Sequence, residues 1–459
     1  MRNKPIIHSP RHSKRQGAAS QETNLQPQTS FSPAIETNPS DLLFRRVAWR
    51  FMPLLFLGYV VAYLDRVNIG FAKLQMLGSL HFSNAAYGLG AGLFFIGYFL
   101  FEVPSNLLLH RFGARRWIAR IMVTWALLSM VTAWVTTPLM FYVVRFLLGV
   151  AEAGFFPGMI LYLTYWFPAH RRGKMVALLM AGIPVSGLLG GPLSGFLMRA
   201  FDGTWGFGGW QWLFIVEALP SITLGIAIYF GLDDRVADAK WLSDDEKALI
   251  QREIDADDSV RTHGSVRAVF GSARVWLLCL ILFGVVMGSY AIGFWQPTII
   301  RSTGIDDPLE IGLLTMIPYS FALVSMIAVG RHADRTRERR WHTVVPALVA
   351  ASGFSLCALG GNSSVLSMIG LTLAVSGVVT TLPMFWALPT AFLGGTGAAA
   401  GIALINCTGN LAGFISPTVI GWLKSYTHTL ASGLVLTAGT LTLSAVLILT
   451  FIPACLANR

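Results

Sequence analysis

Runs of about 20 apolar residues, nearly free of charge, recur along this chain and are separated by short polar stretches. That is the length an α-helix needs to cross the hydrocarbon core of a bilayer. The pattern predicts twelve spans, at 48–72, 85–109, 116–135, 139–164, 174–199, 211–232, 275–299, 310–330, 342–361, 365–391, 398–423 and 430–454. One polar stretch is long: Asp233 to Arg274 holds seven Lys or Arg and ten Asp or Glu, and it divides the spans into six and six. The predicted organisation is a tail at 1–46, a six-helix bundle at 47–232, a linker at 233–274 and a second six-helix bundle at 275–455. The first 40 residues are rich in Ser, Gln, Pro and Asn and lack the apolar core of a signal peptide, which predicts a disordered cytoplasmic tail.

Composition fixes what surrounds these helices. Of 459 residues, 54% are apolar and 12% charged, and mean hydropathy is +0.60. That leaves too little charge to clothe a water-facing surface, so the fold class is an all-α polytopic membrane protein whose apolar excess faces lipid. Loops on one side carry Arg111, Arg115, Arg116, Arg171, Arg172, Lys174, Arg331, Arg335, Arg337, Arg339 and Arg340. Loops on the other carry Lys73, Arg199, Arg301 and Lys424. Eleven cations against four predict that both termini are cytoplasmic, in a plasma (inner) membrane. The net charge of +11 is then a topology signal and, with Arg45, Arg46 and Arg50, an attraction to anionic lipid headgroups, so no nucleic-acid partner is implied.

Several chemistries are excluded. Cys279, Cys357, Cys407 and Cys455 lie in apolar segments without metal-ligand spacing. No G-x-x-x-x-G-K-[ST] occurs to cradle a nucleotide, and all nine histidines fall in tails or near span ends. No cofactor or metal is expected, and neither is an enzyme activity.

Ionisable residues deep in the membrane are costly and tend to mark function. Deep within the spans lie Asp65, Glu102, Glu152 and Glu217, with Arg66 and Arg145 far from any span end, all in the first half. Asp65 and Arg66 cannot simply end the first span. Phe51 to Leu64 is 14 residues, about 21 Å of helix against a core of about 30 Å, so the helix continues past them. Arg145 and Glu152 are seven residues apart, two turns, and project from one face with Gly149 and Phe156. Asp65, Glu152, Arg66 and Arg145 sum to zero when all are ionised, so an entering anion would be balanced by protonating one carboxylate. Glu102 is expected to pair with Arg115 or Arg116, and Glu217 to serve structure.

The second half offers neutral candidates for binding: Tyr290, Trp295 and Gln296, then Trp386, and Asn406 with Asn410 one turn apart on a shared face. Gly187, Gly191 and Gly195 recur every four residues, a pattern for close helix packing. The glycines from Gly394 to Gly401 predict a tight connection between the tenth and eleventh spans.

The loop Gly330-Arg331-His332-Ala333-Asp334-Arg335-Thr336-Arg337-Glu338-Arg339-Arg340 resembles the loop signature of the major facilitator superfamily, and Arg111 to Arg116 follows the second span of the first half in the same place. In that first copy Asn106 and His110 replace the Gly and Asp. The resemblance implies an inner gate built on Arg115, Arg116, Asp334, Arg335 and Arg339. Tyr63-Leu64-Asp65-Arg66-Val67-Asn68-Ile69-Gly70-Phe71-Ala72, Phe101 to Asn106, Gly149 to Gly158 and Gly209 to Phe214 are similar to stretches of the anion:cation symporter family within that superfamily. That likeness implies uptake of a small organic carboxylate with protons by a two-bundle transporter working as a monomer. Asp65 and Glu152 would couple protons, while Arg66 and Arg145, with Tyr63 beside them, would serve the anion. Export or exchange by the same fold, and a non-transporting sensor, are the alternatives.

Overall fold

The computed structural model describes residues 39–258, 270–361, 363–392 and 395–453. The tail before Pro39 and the connection at 393–394 lie outside the described residues, as do Cys455 and the last residue of the twelfth predicted span. Among the described residues twelve helical segments are long and apolar enough to span a bilayer. The first half comprises α1 (Pro39–Leu80), α2 (Asn84–Phe112), α3 (Ala114–Val131), α4 (Pro138–Glu152), α5 (Phe155–Trp166), α6 (Ala169–Met180), α7 (Gly182–Ala200) and α8 (Gly209–Gly231). A short α9 (Asp244–Asp258) lies in the linker. The second half comprises α10 (Ala273–Arg301), α11 (Pro308–Thr336), α12 (Arg340–Leu359), α13 (Ser364–Phe392), α14 (Gly395–Thr427) and α15 (Ala431–Phe451).

Local chemistry sets the boundaries. The Ser83 hydroxyl accepts from the Ala86 amide at 3.0 Å to cap α2. Thr137 caps α4 ahead of Pro138, and Asp307 caps α11 ahead of Pro308, each proline taking the first turn where its missing N–H costs nothing. The fourth span is two helices, not one. Pro157 would clash with the carbonyl four residues earlier, that of Ala153, and Gly154 takes the left-handed turn at φ +83° that releases it. A Cβ on Gly154 would stand 2.5 Å from the Ser105 hydroxyl, so the position also needs its small size. Pro184 stands in the same relation to Met180, where α6 gives way to α7.

Two boundaries differ most from the sequence reading. Helix α1 begins at Pro39, so residues 39–46 are helix and not tail; Leu43, Phe44 and Val47 are buried, and Asp41 pairs with Arg171 at 2.6 Å. The same helix runs on to Leu80, which takes Lys73 out of the loop and into a buried position. Nothing between Ala72 and Leu80 breaks a helix, and the turn comes only at His81, φ +53°.

Each half packs as a bundle, and the two meet where α7 lies along α11, α2 along α14, and α1 crosses α10. The glycine series makes the first of these contacts. Gly187 faces the Tyr319 ring, Gly191 faces Thr315 and Gly312, and Gly195 faces the Pro308 carbonyl. These contacts sit at the end of the bundles away from the termini, as do Ala85 N–H to the Ser425 hydroxyl at 3.0 Å, Arg199 with Asp307 at 2.8 Å, and Arg301 with the Leu74 carbonyl. The far end is therefore closed by direct inter-bundle packing.

Candidate functional site

Between the bundles at mid-depth is a cavity of about 110 Å³. Its first-half wall carries Tyr59, Tyr63 and Arg66 from α1, Tyr98 from α2 and Phe156 from α5. Tyr59, Tyr63 and Arg66 fall at i, i+4 and i+7, one face of α1, a periodicity that marks the wall in the sequence itself. The second-half wall carries Ser289 and Tyr290 from α10, Trp386 from α13, and Asn406 and Asn410 from α14. The Tyr63 and Ser289 hydroxyls face each other across the gap at 3.5 Å.

Arg66 is the cation on this surface. Its guanidinium is ion-paired with the buried Glu152 carboxylate at the end of α4 and lies over the rings of Phe94 and Tyr98, at 5.5 and 5.4 Å. One Arg66 edge stays partly exposed while Glu152 is sealed, so the pair spans the wall: carboxylate behind, guanidinium in front. A second anion brought to the cavity would compete with the Glu152 carboxylate for one fork of N–H donors.

The remaining charges stand apart from the cavity. Asp65, one residue from Arg66 and so about 100° round the helix, points the other way. Its Oδ2 accepts from Trp125 Nε1 at 2.9 Å and from the Ser221 hydroxyl at 2.6 Å, while Oδ1 has no hydrogen-bond donor among the described residues. Arg145 is wholly buried behind the wall, its guanidinium carbon 5.0 Å from the centre of the Phe94 ring, and none of its nitrogens has a hydrogen-bond partner among the described residues. Glu152 therefore gives its ion pair to Arg66, although it shares a helix with Arg145. Glu217 accepts from the Ser194 hydroxyl at 2.7 Å inside the first bundle.

Three expected placements change. Glu102 does not reach Arg115 or Arg116; it sits on the α2 face turned to the second bundle, where Asn406 donates to it at 3.4 Å and the Cys407 thiol lies at 3.9 Å. Trp295 and Gln296 lie away from the cavity: Trp295 is buried against Tyr87, ring centres 5.9 Å apart, and Gln296 borders a small void with Asn68, Ser194 and Thr315. Both follow from α10 continuing past Tyr290 toward the closed end, where the bundles touch. At the loops near the termini, Arg115 pairs with Asp234 of the linker (backbone N–H to Oδ1, 2.8 Å) and Asp334 with Arg339 inside the second half (2.7 Å), so neither pair joins the two bundles, while Arg116 and Arg335 are exposed.

A family model described as "Major Facilitator Superfamily" matches residues 55–417. The chain belongs to the Major Facilitator Superfamily. It is 48% identical over 419 residues to the "Putative metabolite transport protein NicT" of Pseudomonas putida, covering 91% of this chain and 96% of that one. It is 47% identical over 409 residues to a "Putative tartrate transporter" of Agrobacterium vitis (89% and 90% covered), and 42% identical over 397 residues to a "Quinolone resistance transporter" of Acinetobacter baumannii (85% and 91%). Among solved structures, a D-xylose-proton symporter superposes with a TM-score of 0.72 at 17% identity, covering 90% of this chain and 99% of that one. A bacterial homologue of the lysosomal transporter Spinster, described as inward-facing and occupied, superposes at 0.70 and 16% identity, covering 91% and 98%. These two share the fold. The protein is thus a multi-pass membrane transporter with a small-molecule cargo, and not an enzyme.

Proposed function

We propose that this transporter imports a small organic carboxylate by proton symport, with both termini in the cytoplasm and the closed end facing outward. One observation carries the reading: the Arg66 guanidinium faces the cavity while its partner Glu152 is buried behind it. Protonating Glu152 neutralises the internal partner and leaves Arg66 to a carboxylate of the cargo. Deprotonating it restores the pair and displaces the anion. Binding of anion and proton are thereby linked through one guanidinium. Two relatives named for tartrate and for a metabolite support a small, hydrophilic cargo. The tyrosines, Trp386 and the two asparagines supply aromatic faces and amide donors suited to an aromatic or hydroxylated acid. Asp65, buried and held by only two neutral donors, is the second coupling candidate.

One pH unit supplies about 1.4 kcal/mol per proton and 100 mV about 2.3 kcal/mol per net charge. Alternating access follows from rocking one bundle against the other about the cavity. The relative named for quinolone resistance favours a second reading, export through the same site. Proteoliposomes decide between these. Uptake of labelled tartrate should follow an inward proton gradient, collapse with a protonophore, and not extend to its neutral amide. Uptake that ignores the protonophore, or accepts acid and amide alike, contradicts symport of an anion.

A further inference from the structure

The closed end holds cations that this cycle leaves unused. Lys73 of α1 is buried, with Nζ 3.2 Å from the centre of the Trp295 ring and 4.6 Å from that of Tyr87. Its ammonium has no hydrogen-bond partner among the described residues. Lys424 of α14, in the other bundle, holds Nζ 5.7 Å from the same indole. The neighbouring ion pairs are between arginines and aspartates, Arg199 with Asp307 and Arg301 with Asp306, and neither lysine shares them.

An ammonium removed from water without a counter-ion is strongly disfavoured, and an aromatic face returns only part of the loss. Packing alone would be served better by an apolar residue at Lys73. What distinguishes the two lysines is that they come from opposite bundles and converge on one side chain. When the far ends separate, Lys73 and Lys424 stand on facing walls of the opened vestibule as two ammoniums without carboxylate partners. Lys73 also lies seven residues beyond Arg66, two turns along the same face of α1, about 10 Å nearer the outside.

We infer that Lys73 and Lys424 form an outer capture site for the carboxylate in the outward-open state, and that Trp295 takes Lys73 onto its face once the anion has moved inward to Arg66. This rests on the import reading, and the closing experiment separates the two. Lys73→Gln and Lys424→Gln are each reconstituted and assayed from both faces. KM for tartrate should rise about tenfold from the outer face, with the inward kcat and the KM from the opposite face within about twofold of wild type, the fixed transport equilibrium then placing the matching loss on the outward kcat. Lys73→Arg, which keeps the charge, should restore most of the outer affinity. In a background with Cys279, Cys357, Cys407 and Cys455 replaced by alanine, a Ser425→Cys reporter reads the same site without transport. External tartrate should slow its maleimide labelling, and should fail to do so with Lys73→Gln. An unchanged KM, or one raised equally from both faces, overturns the capture site and leaves the import reading standing. If the wild type carries no carboxylate at all, the import reading falls and the reporter decides the site: protection lost in Lys73→Gln upholds it, and protection equal with and without Lys73 overturns it.

Discussion

The two bundles have the same architecture and opposite chemistry. The first buries Asp65, Glu102, Arg145, Glu152, Glu217 and Lys73 and offers Arg66 to the cavity; the second meets it with Ser289, Tyr290, Trp386, Asn406 and Asn410, all uncharged. Charge changes cost most where solvation is poorest, so groups that exchange protons work best in one rigid unit whose internal distances do not alter during rocking. The neutral wall can then approach and withdraw without breaking the Arg66–Glu152 pair. The contrast between Arg66 and Arg145 repeats this inside one bundle: the first is paired and faces the cavity, the second is sealed and unpaired among the described residues. The difference teaches that burial alone does not set a cation's place: of the two, Arg66 has access to the gap between the bundles.

If the charged wall binds the anion, the largest effect comes from Arg66→Lys. Losing the bidentate fork while keeping the charge should weaken carboxylate binding about 100-fold or more, with normal insertion and a normal elution profile. Titration of tartrate binding checks it, and an affinity equal to wild type would remove Arg66 from the site. A smaller effect is expected on the neutral wall: Asn410→Leu removes one amide, raising KM about tenfold while leaving the pH dependence of transport where it was. A shifted pH profile in that variant would break the division of labour between the bundles. Smallest is Arg199→Gln. The exposed pair with Asp307 ties the bundles at the far end, but such pairs are worth about 0.2–1 kcal/mol, so transport rates should change by less than about fivefold.

Much of the fold was legible because lipid imposes a length and a polarity on each span. The breaks inside the fourth and fifth spans were not, since each stretch has the length and hydropathy of one unbroken span; Pro157 and Pro184 mark them only when each is read against the carbonyl four residues before it. On the site, the span-length argument placed Arg66 inside the membrane, the family resemblance set Tyr63 beside it, and helical spacing gave the shared face of Asn406 and Asn410. It could not show that Glu152 turns to Arg66 in another helix and not to Arg145 in its own, because pairing across helices depends on their rotation. Trp295 and Gln296 lay beyond reach for a related reason: their depth along α10 decides between cavity and gate, and hydropathy does not register depth within a span. Lys73 was misplaced in a loop by its charge, although no residue near it stops the helix.

The central claim is that Glu152 couples protons to the anion through Arg66, and Glu152→Gln tests it most directly. Glutamine imitates the protonated carboxylate in shape and charge. Counterflow of labelled carboxylate and accumulation driven by a pH gradient are measured side by side in proteoliposomes, with Asp65→Asn in parallel. Exchange needs no net proton movement, so the account predicts that counterflow persists while proton-driven accumulation is lost. If Glu152 were only a structural counter-ion, its loss would leave a buried cation uncompensated at about 3–5 kcal/mol, and expression, exchange and accumulation would fall together. Accumulation retained in Glu152→Gln would contradict the coupling role and pass it to Asp65.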